Sequence, residues 1–162
     1  EMIFDPLKMT HTFVFDFDKG QKPEVPSYKA SGMELAIDHL DAVYGDKNIY
    51  STVRDLLKWE TALSYGSMFK QSTLDSAYAG YSYEKKGIKN YGLGWRMLEY
   101  PNNEKIIYHN GWWHGNNTVF ARIIKDSATI IILGNKYNRN IYQAKKLFPA
   151  FGNYATDEDT DE

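Results

Sequence analysis

The runs Tyr91-Gly-Leu-Gly-Trp-Arg-Met-Leu98, Lys105-Ile-Ile-Tyr-His109, Thr118-Val-Phe-Ala-Arg-Ile-Ile124 and Thr129-Ile-Ile-Ile-Leu133 have the length and the β-branched and aromatic content of strands. Turn-forming segments, Pro101-Asn-Asn103 and Lys125-Asp-Ser127, separate them. Connections this short join antiparallel neighbours, so the runs predict a meander over 91–98, 105–111, 117–125 and 128–134. Ile130-Ile-Ile-Leu133 is apolar at successive positions, which predicts a central strand covered on both faces. Asn140 is placed to cap a last helix over 140–149, whose Ile141, Ala144, Leu147 and Phe148 share one face and pack on the meander.

The first half of the chain is less regular. Met2 to Leu7 reads as a short helical stretch, and Phe13, Phe15 and Phe17 alternate with other residues. Gly20, Pro23 and Pro26 then punctuate a loop. Ser51 to Leu63 predicts a helix: Thr52 and Asp55 have capping-box spacing, Leu56, Trp59 and Leu63 recur on one side, and Gly66 ends it. A second helix is expected over Gln71 to Tyr78. The fold class is therefore α+β. Residues 1–88 form a helix and loop region, 89–152 an antiparallel sheet with a C-terminal helix of the same domain, and 153–162 an acidic, disordered tail.

Composition removes several function classes. The 162 residues are 43% hydrophobic and 15% aromatic, enough for a packed core, and the net charge of −2 carries no basic stripe for nucleic acid. The longest apolar run is Ala128 to Leu133, far short of a membrane span. With no cysteine, disulfide scaffolds, thiolate zinc sites and cysteine nucleophiles are excluded.

Chemistry concentrates in Tyr108-His-Asn-Gly-Trp-Trp-His-Gly-Asn-Asn-Thr118, where one β-run ends and the next begins. Gly111 allows a second chain close to the backbone, and an exposed sheet edge here could pair with an extended, peptide-like ligand. The same residues also fit a decorated hairpin with two core tryptophans. His109 and His114 lack a third residue at ligand spacing, so no metal and no cofactor is implied. Asp16-Phe-Asp18 is better read as a solvated strand end than as a cation site.

Four segments, in order, resemble the family of class C-type β-lactamases, D-Ala-D-Ala carboxypeptidases and related esterases. They are Ile3-Phe-Asp-Pro-Leu-Lys-Met-Thr-His-Thr12, Gly45-Asp-Lys-Asn-Ile-Tyr-Ser-Thr-Val-Arg-Asp-Leu-Leu-Lys-Trp59, Tyr91-Gly-Leu-Gly-Trp95, and His109-Asn-Gly111 followed by strands ending in Ile132-Leu-Gly-Asn135. The resemblance implies a partial β-lactamase/transpeptidase-like fold, whose sheet other strands of the family complete. It implies that His109-Asn-Gly111 stands at the family's third motif, Lys-Thr-Gly or His-Ser/Thr-Gly, on a strand beside the nucleophile. His109, Gly111 and Trp112 would then be catalytic, the last through its backbone N–H as an oxyanion donor, and Asn110, Trp113 and His114 would bind substrate. Asn110 replaces the usual hydroxyl residue, and the Trp112-Trp113 pair is bulkier than is common there.

The family's Ser-x-x-Lys and Tyr-x-Asn or Tyr-x-Ser motifs precede the first of these segments. The expectation is thus a C-terminal fragment of a serine hydrolase working through an acyl-enzyme, without its nucleophile and inactive alone. Its partner would be a small or peptide-like amide or ester substrate in the full-length protein, with self-association of the fragment through an uncovered sheet edge. The resemblance favours a periplasmic or other extracytoplasmic setting. Ser67-Met-Phe-Lys70 and Tyr100-Pro-Asn102 match the missing motifs by chance patterns in the wrong order, and the second reads as a turn. The alternative is a non-catalytic module binding cell-wall sugar or peptide on a platform of Tyr108, Trp112 and Trp113; a degenerate family member with a structural role is a third reading. The coding sequence upstream of Glu1 discriminates among them.

Overall fold

In the region before the sheet, local chemistry defines two helices and little else. The computed structural model describes residues 2–16, 19, 25–43, 45, 47–66, 68–82 and 87–154. Helix α1 spans Val53–Ser64, with Thr52 as N-cap accepting the Asp55 N–H at 3.2 Å. The Asp55 side chain does not complete a capping box. It accepts from the His11 N–H at 2.7 Å, the Thr12 hydroxyl at 3.0 Å and Lys58 at 2.6 Å, tying the helix start to the first segment. Gly66, at φ 62, follows the helix in the left-handed conformation. Helix α2 spans Gln71–Ala77. Residues Met2 to Leu7, expected as helical, form turns closed by Leu7 N–H to Ile3 O and Met9 N–H to Phe4 O. Two small ladders complete this region: β1 (Phe13–Val14) pairs with β4 (Ile49–Tyr50), and β2 (Ser27–Tyr28) with β3 (Glu34–Leu35), all antiparallel. Phe17, Asp18, Ser67 and residues 155–162 of the acidic tail lie outside the described residues. Asn153 and Tyr154, expected within that disordered tail, are described, and Tyr154 is buried in the core against Tyr100.

The meander is present, with five strands. They are β5 (Lys89–Tyr91), β6 (Arg96–Glu99), β7 (Lys105–Trp113), β8 (Asn116–Ile123) and β9 (Ala128–Gly134), in that spatial order and antiparallel throughout. The single run expected over 91–98 is a hairpin. Gly92 N–H donates to Trp95 O at 2.7 Å, and Gly94 takes φ 75, so the two glycines of the run make the turn.

Alternation divides the sheet into two faces. Leu98, Ile106, Val119, Ala121, Ile123 and Ile130 pack with Ala144, Phe148 and Tyr154. Met97 and Ile107, on the other face, pack with Leu63, Leu74 and Tyr78 from the helical region. The C-terminal element, Arg139–Ala150, covers the first face as a 3-10 helix capped by Asn138, and not as an α-helix capped by Asn140. Pro149 inside it offers no N–H, and of the four residues expected on one face Ala144 and Phe148 are buried while Leu147 is exposed. Strand β9 is also corrected: it is covered on both faces but is an edge strand among the described residues, not a central one. No helix of the described residues is long and apolar enough to cross a membrane.

Candidate active site

Strand β7 has nine residues and β6 only four, and Arg96↔Tyr108 is their last pair. From His109 to Trp113, β7 is therefore paired on one side alone, by β8, among the described residues. The direction of its free groups follows from the ladder. Glu99 N–H donates to Ile88 O, on the β5 side, so Arg96 and Leu98 turn their backbone groups toward β7. Their partners Tyr108 and Ile106 face β6 in return. Asn110 and Trp112, of the same parity, direct N–H and C=O to that same side, where β6 has ended. Gly111 lets the Thr118 side chain lie close against β7: a Cβ would stand 2.4 Å from Thr118 Oγ1.

The residues expected at the third motif, His109 and Asn110, part company across the sheet. His109 shares the face of Ile107, and its exposed imidazole turns over the open edge. Nδ1 lies 2.8 Å from Asn110 O and Nε2 3.1 Å from the Tyr91 hydroxyl. The Asn110 side chain lies on the opposite face, lining a cavity of about 340 Å³ with Tyr108, Val119, Tyr142 and Phe148. Tyr142, from the C-terminal 3-10 helix, donates its hydroxyl to Gly111 O at 2.9 Å and accepts from Asn117 Nδ2 at 2.9 Å, which ties the motif backbone to that helix. The Trp112 indole is 70% exposed, with its N–H donated to His114 O at 3.1 Å.

Trp113 and His114 are bound to a segment far away in sequence. Asp41, in a 3-10 turn (His39–Ala42) capped by Asp38, accepts the Trp113 indole N–H at 2.5 Å, and its other oxygen lies 3.3 Å from His114 Nε2. Lys47 sits 4.1 Å over the Trp113 ring. His114, at φ 51, also borders a space of about 390 Å³ with Leu35, Tyr50 and Asn116. Trp113 leaves β7 on the face opposite to Tyr108 and Trp112, so the aromatic platform of the alternative reading is not assembled. Asp38, Asp41 and His114 bring three potential ligand atoms within 4.8 Å, but both Asp41 oxygens already accept from protein donors. Sequence reasoning missed Asp41, Tyr91 and Tyr142 because each reaches the site through tertiary contacts only.

Burial pushes the Asp41 carboxyl up, but the Asp38 N–H, the Trp113 indole and His114 outweigh it and hold it below the usual carboxylate range. A folded-state pKa below the unfolded value contributes stability that is present above the unfolded value and lost as pH falls through the folded one. The wild-type chain should therefore be more stable than Asp41→Asn at neutral pH, with the difference shrinking below about pH 4. Urea midpoints of both chains across that range check this; a difference that persists undiminished at about pH 3 would remove the ionised Asp41 from the account.

A family model described as Beta-lactamase matches residues 1–147. The chain is 29% identical over 105 residues to penicillin-binding protein 4* of Bacillus subtilis (strain 168), an alignment covering 65% of this chain and 23% of that protein. Its fold superposes on a penicillin-binding protein from Bacillus halodurans with a TM-score of 0.74 at 15% identity, covering 92% of this chain and 47% of that one. An octameric penicillin-binding protein homologue from Pyrococcus abyssi gives 0.72 at 18% identity, covering 94% and 36%. The chain thus spans less than half the length of each of these relatives.

Proposed function

The chain belongs to the beta-lactamase family, and from that premise we propose that it supplies the sheet-edge half of a serine acyl-transfer site whose nucleophile lies elsewhere in a longer protein. The observation that carries this reading is the open side of β7, where the Trp112 N–H and C=O stand unpaired by any strand of the described residues, beside the His109 imidazole. A carbonyl placed against the Trp112 N–H is polarised, and the donor gains strength as the carbonyl oxygen takes up negative charge during attack. The Trp112 C=O can accept an amide N–H of a substrate lying antiparallel to the strand.

The reaction is acyl transfer. A serine hydroxyl adds through its oxygen to the carbonyl carbon of an amide or ester, its proton passes to the departing amine or alcohol as the tetrahedral species collapses, and water then releases the acid and restores the serine. In this chain Gly111 permits close approach, Trp112 contributes backbone groups and His109 provides a fixed polar group at the mouth. Asn110 takes part indirectly, its backbone carbonyl anchoring the His109 imidazole while its carboxamide lines the cavity on the other face.

The test uses the longer protein that contains these residues. Incubation with a fluorescent penicillin and with p-nitrophenyl esters should give a covalent acyl adduct, located by peptide mass spectrometry on a serine outside residues 1–162, and the 162-residue chain alone should give none. An adduct on Ser67, or no adduct and no turnover in the longer protein, would overturn the proposal.

A further inference from the structure

The stretch Tyr91-Gly-Leu-Gly-Trp95 has a physical task that its hairpin geometry discloses. Gly92 lies against the end of α2, where a Cβ would stand 2.2 Å from Ala77 O, and Leu93 N–H donates to the same carbonyl at 2.9 Å. Tyr91 O accepts from Tyr81 N–H at 2.9 Å, and Tyr91 N–H donates to Asn90 Oδ1 at 2.8 Å. The backbone of Tyr91 is thereby held at both its N–H and its C=O before its side chain begins. The ring then meets the His109 imidazole edge-on, with centroids 6.2 Å apart and planes at 86°, and the Arg96 guanidinium lies 5.8 Å from its centroid.

The two polar contacts of His109 are not equivalent. Asn110 O, a carbonyl, can only accept, so the 2.8 Å contact requires a proton on Nδ1. In the neutral ring Nε2 is then an acceptor, and the Tyr91 hydroxyl at 3.1 Å donates to it. We propose that Tyr91 is a positioning residue that holds His109 as its Nδ1–H tautomer, turned over the open edge of β7. The arrangement has a second effect. The Nδ1–H covers the Asn110 carbonyl, which leaves Trp112 as the outward-facing position of the free stretch with both its N–H and its C=O open to a pairing ligand. An extended ligand is thus confined to a short register at Trp112, beside an imidazole fixed in orientation. This deepens the acyl-transfer reading and, for its kinetic consequence, rests on it.

The primary test is independent of activity. Long-range 1H–15N correlation spectra of the 162-residue chain, labelled at histidine and recorded at neutral pH, should show His109 in the Nδ1–H form. Tyr91→Phe should move that signal toward the Nε2–H form, with His11, His39 and His114 unchanged as evidence of an intact fold. Leu93→Ala, at an exposed position of the same hairpin, should leave the His109 tautomer as it was. His109 found as Nε2–H in the wild-type chain, or unmoved by Tyr91→Phe, would overturn the proposal. In the longer protein, Tyr91→Phe should lower kcat with less change in KM, and should add little in a His109→Ala background. Additive losses would overturn the positioning role while leaving acyl transfer standing. Absence of an acyl adduct would fail the acyl-transfer reading, while the spectra still decide the Tyr91–His109 contact.

Discussion

Replacing Arg122 with alanine is expected to destabilise the fold by about 3–5 kcal/mol, because it leaves a buried carboxylate without its cation. Arg122 is 1% exposed, on the face of β8 that meets the helical region. Its Nε donates to Glu60 Oε2 at 2.5 Å, Nη1 to the Tyr78 hydroxyl and Nη2 to Ser64 Oγ at 3.4 Å. The guanidinium lies 5.3 Å over the Tyr78 ring and 5.8 Å over that of Trp95. Ser64 Oγ occupies the other Glu60 oxygen at 2.5 Å, so the carboxylate is fully engaged only while Arg122 is present. Deleting one partner of a buried pair costs far more than replacing both with apolar groups of similar volume. Arg122→Met with Glu60→Leu should therefore lose much less than Arg122→Ala alone. Urea denaturation checks both, with the loss read from the midpoint at unchanged m-value. A loss below about 1 kcal/mol for Arg122→Ala would place the pair among weak surface ion pairs and refute its role in joining α1 to the sheet.

In the longer protein, His109→Ala is expected to lower kcat/KM by about 10², the lower end of what a positioned polar group contributes to proton transfer. Stability should barely change, because the imidazole is exposed and its partners, a tyrosine hydroxyl and a backbone carbonyl, can turn to water. Gly111→Val is the less informative variant. The added Cβ strikes Thr118 Oγ1 before any ligand arrives, so a loss of activity would mix a strained β7–β8 pair with an obstructed site. Parental kinetics in a folded His109→Ala protein would detach the third motif from catalysis and leave the open edge as a binding feature alone.

Much of the architecture was legible before any coordinates. Strand runs at β7, β8 and β9, the turn at Pro101-Asn-Asn103 and the helices beginning near Thr52 and at Gln71 follow from local preferences and from apolar period. The errors have a common origin. Tyr91 to Leu98 looked continuous because a hairpin whose turn is glycine-rich has the same apolar content as a strand, and only pairing shows that β5 and β6 face each other. The 3-10 winding of Arg139–Ala150 was invisible because Ile141, Ala144 and Leu147 recur at a spacing both helix types allow. For β9, hydrophobicity reported covered faces, but faces say nothing about hydrogen-bonded neighbours along the edge.

The sequence by itself determined the family resemblance, the succession of antiparallel strands and the motif His109-Asn-Gly111, since each rests on residues close together in the chain. Only the tertiary structure decided which groups of that motif face a ligand. The open side of β7 exists because β6 stops at its Arg96↔Tyr108 pair, and backbone alternation then assigns the free N–H to Trp112 and sends the Asn110 carboxamide to the other face. Asp41 reaches Trp113 across 72 residues, Glu60 reaches Arg122 across 62, and Tyr91 reaches His109 across 18. No local period or spacing encodes such contacts. They form when the packed sheet brings distant side chains within hydrogen-bond distance, and at the Glu60–Arg122 pair burial makes an unpaired partner too costly to leave.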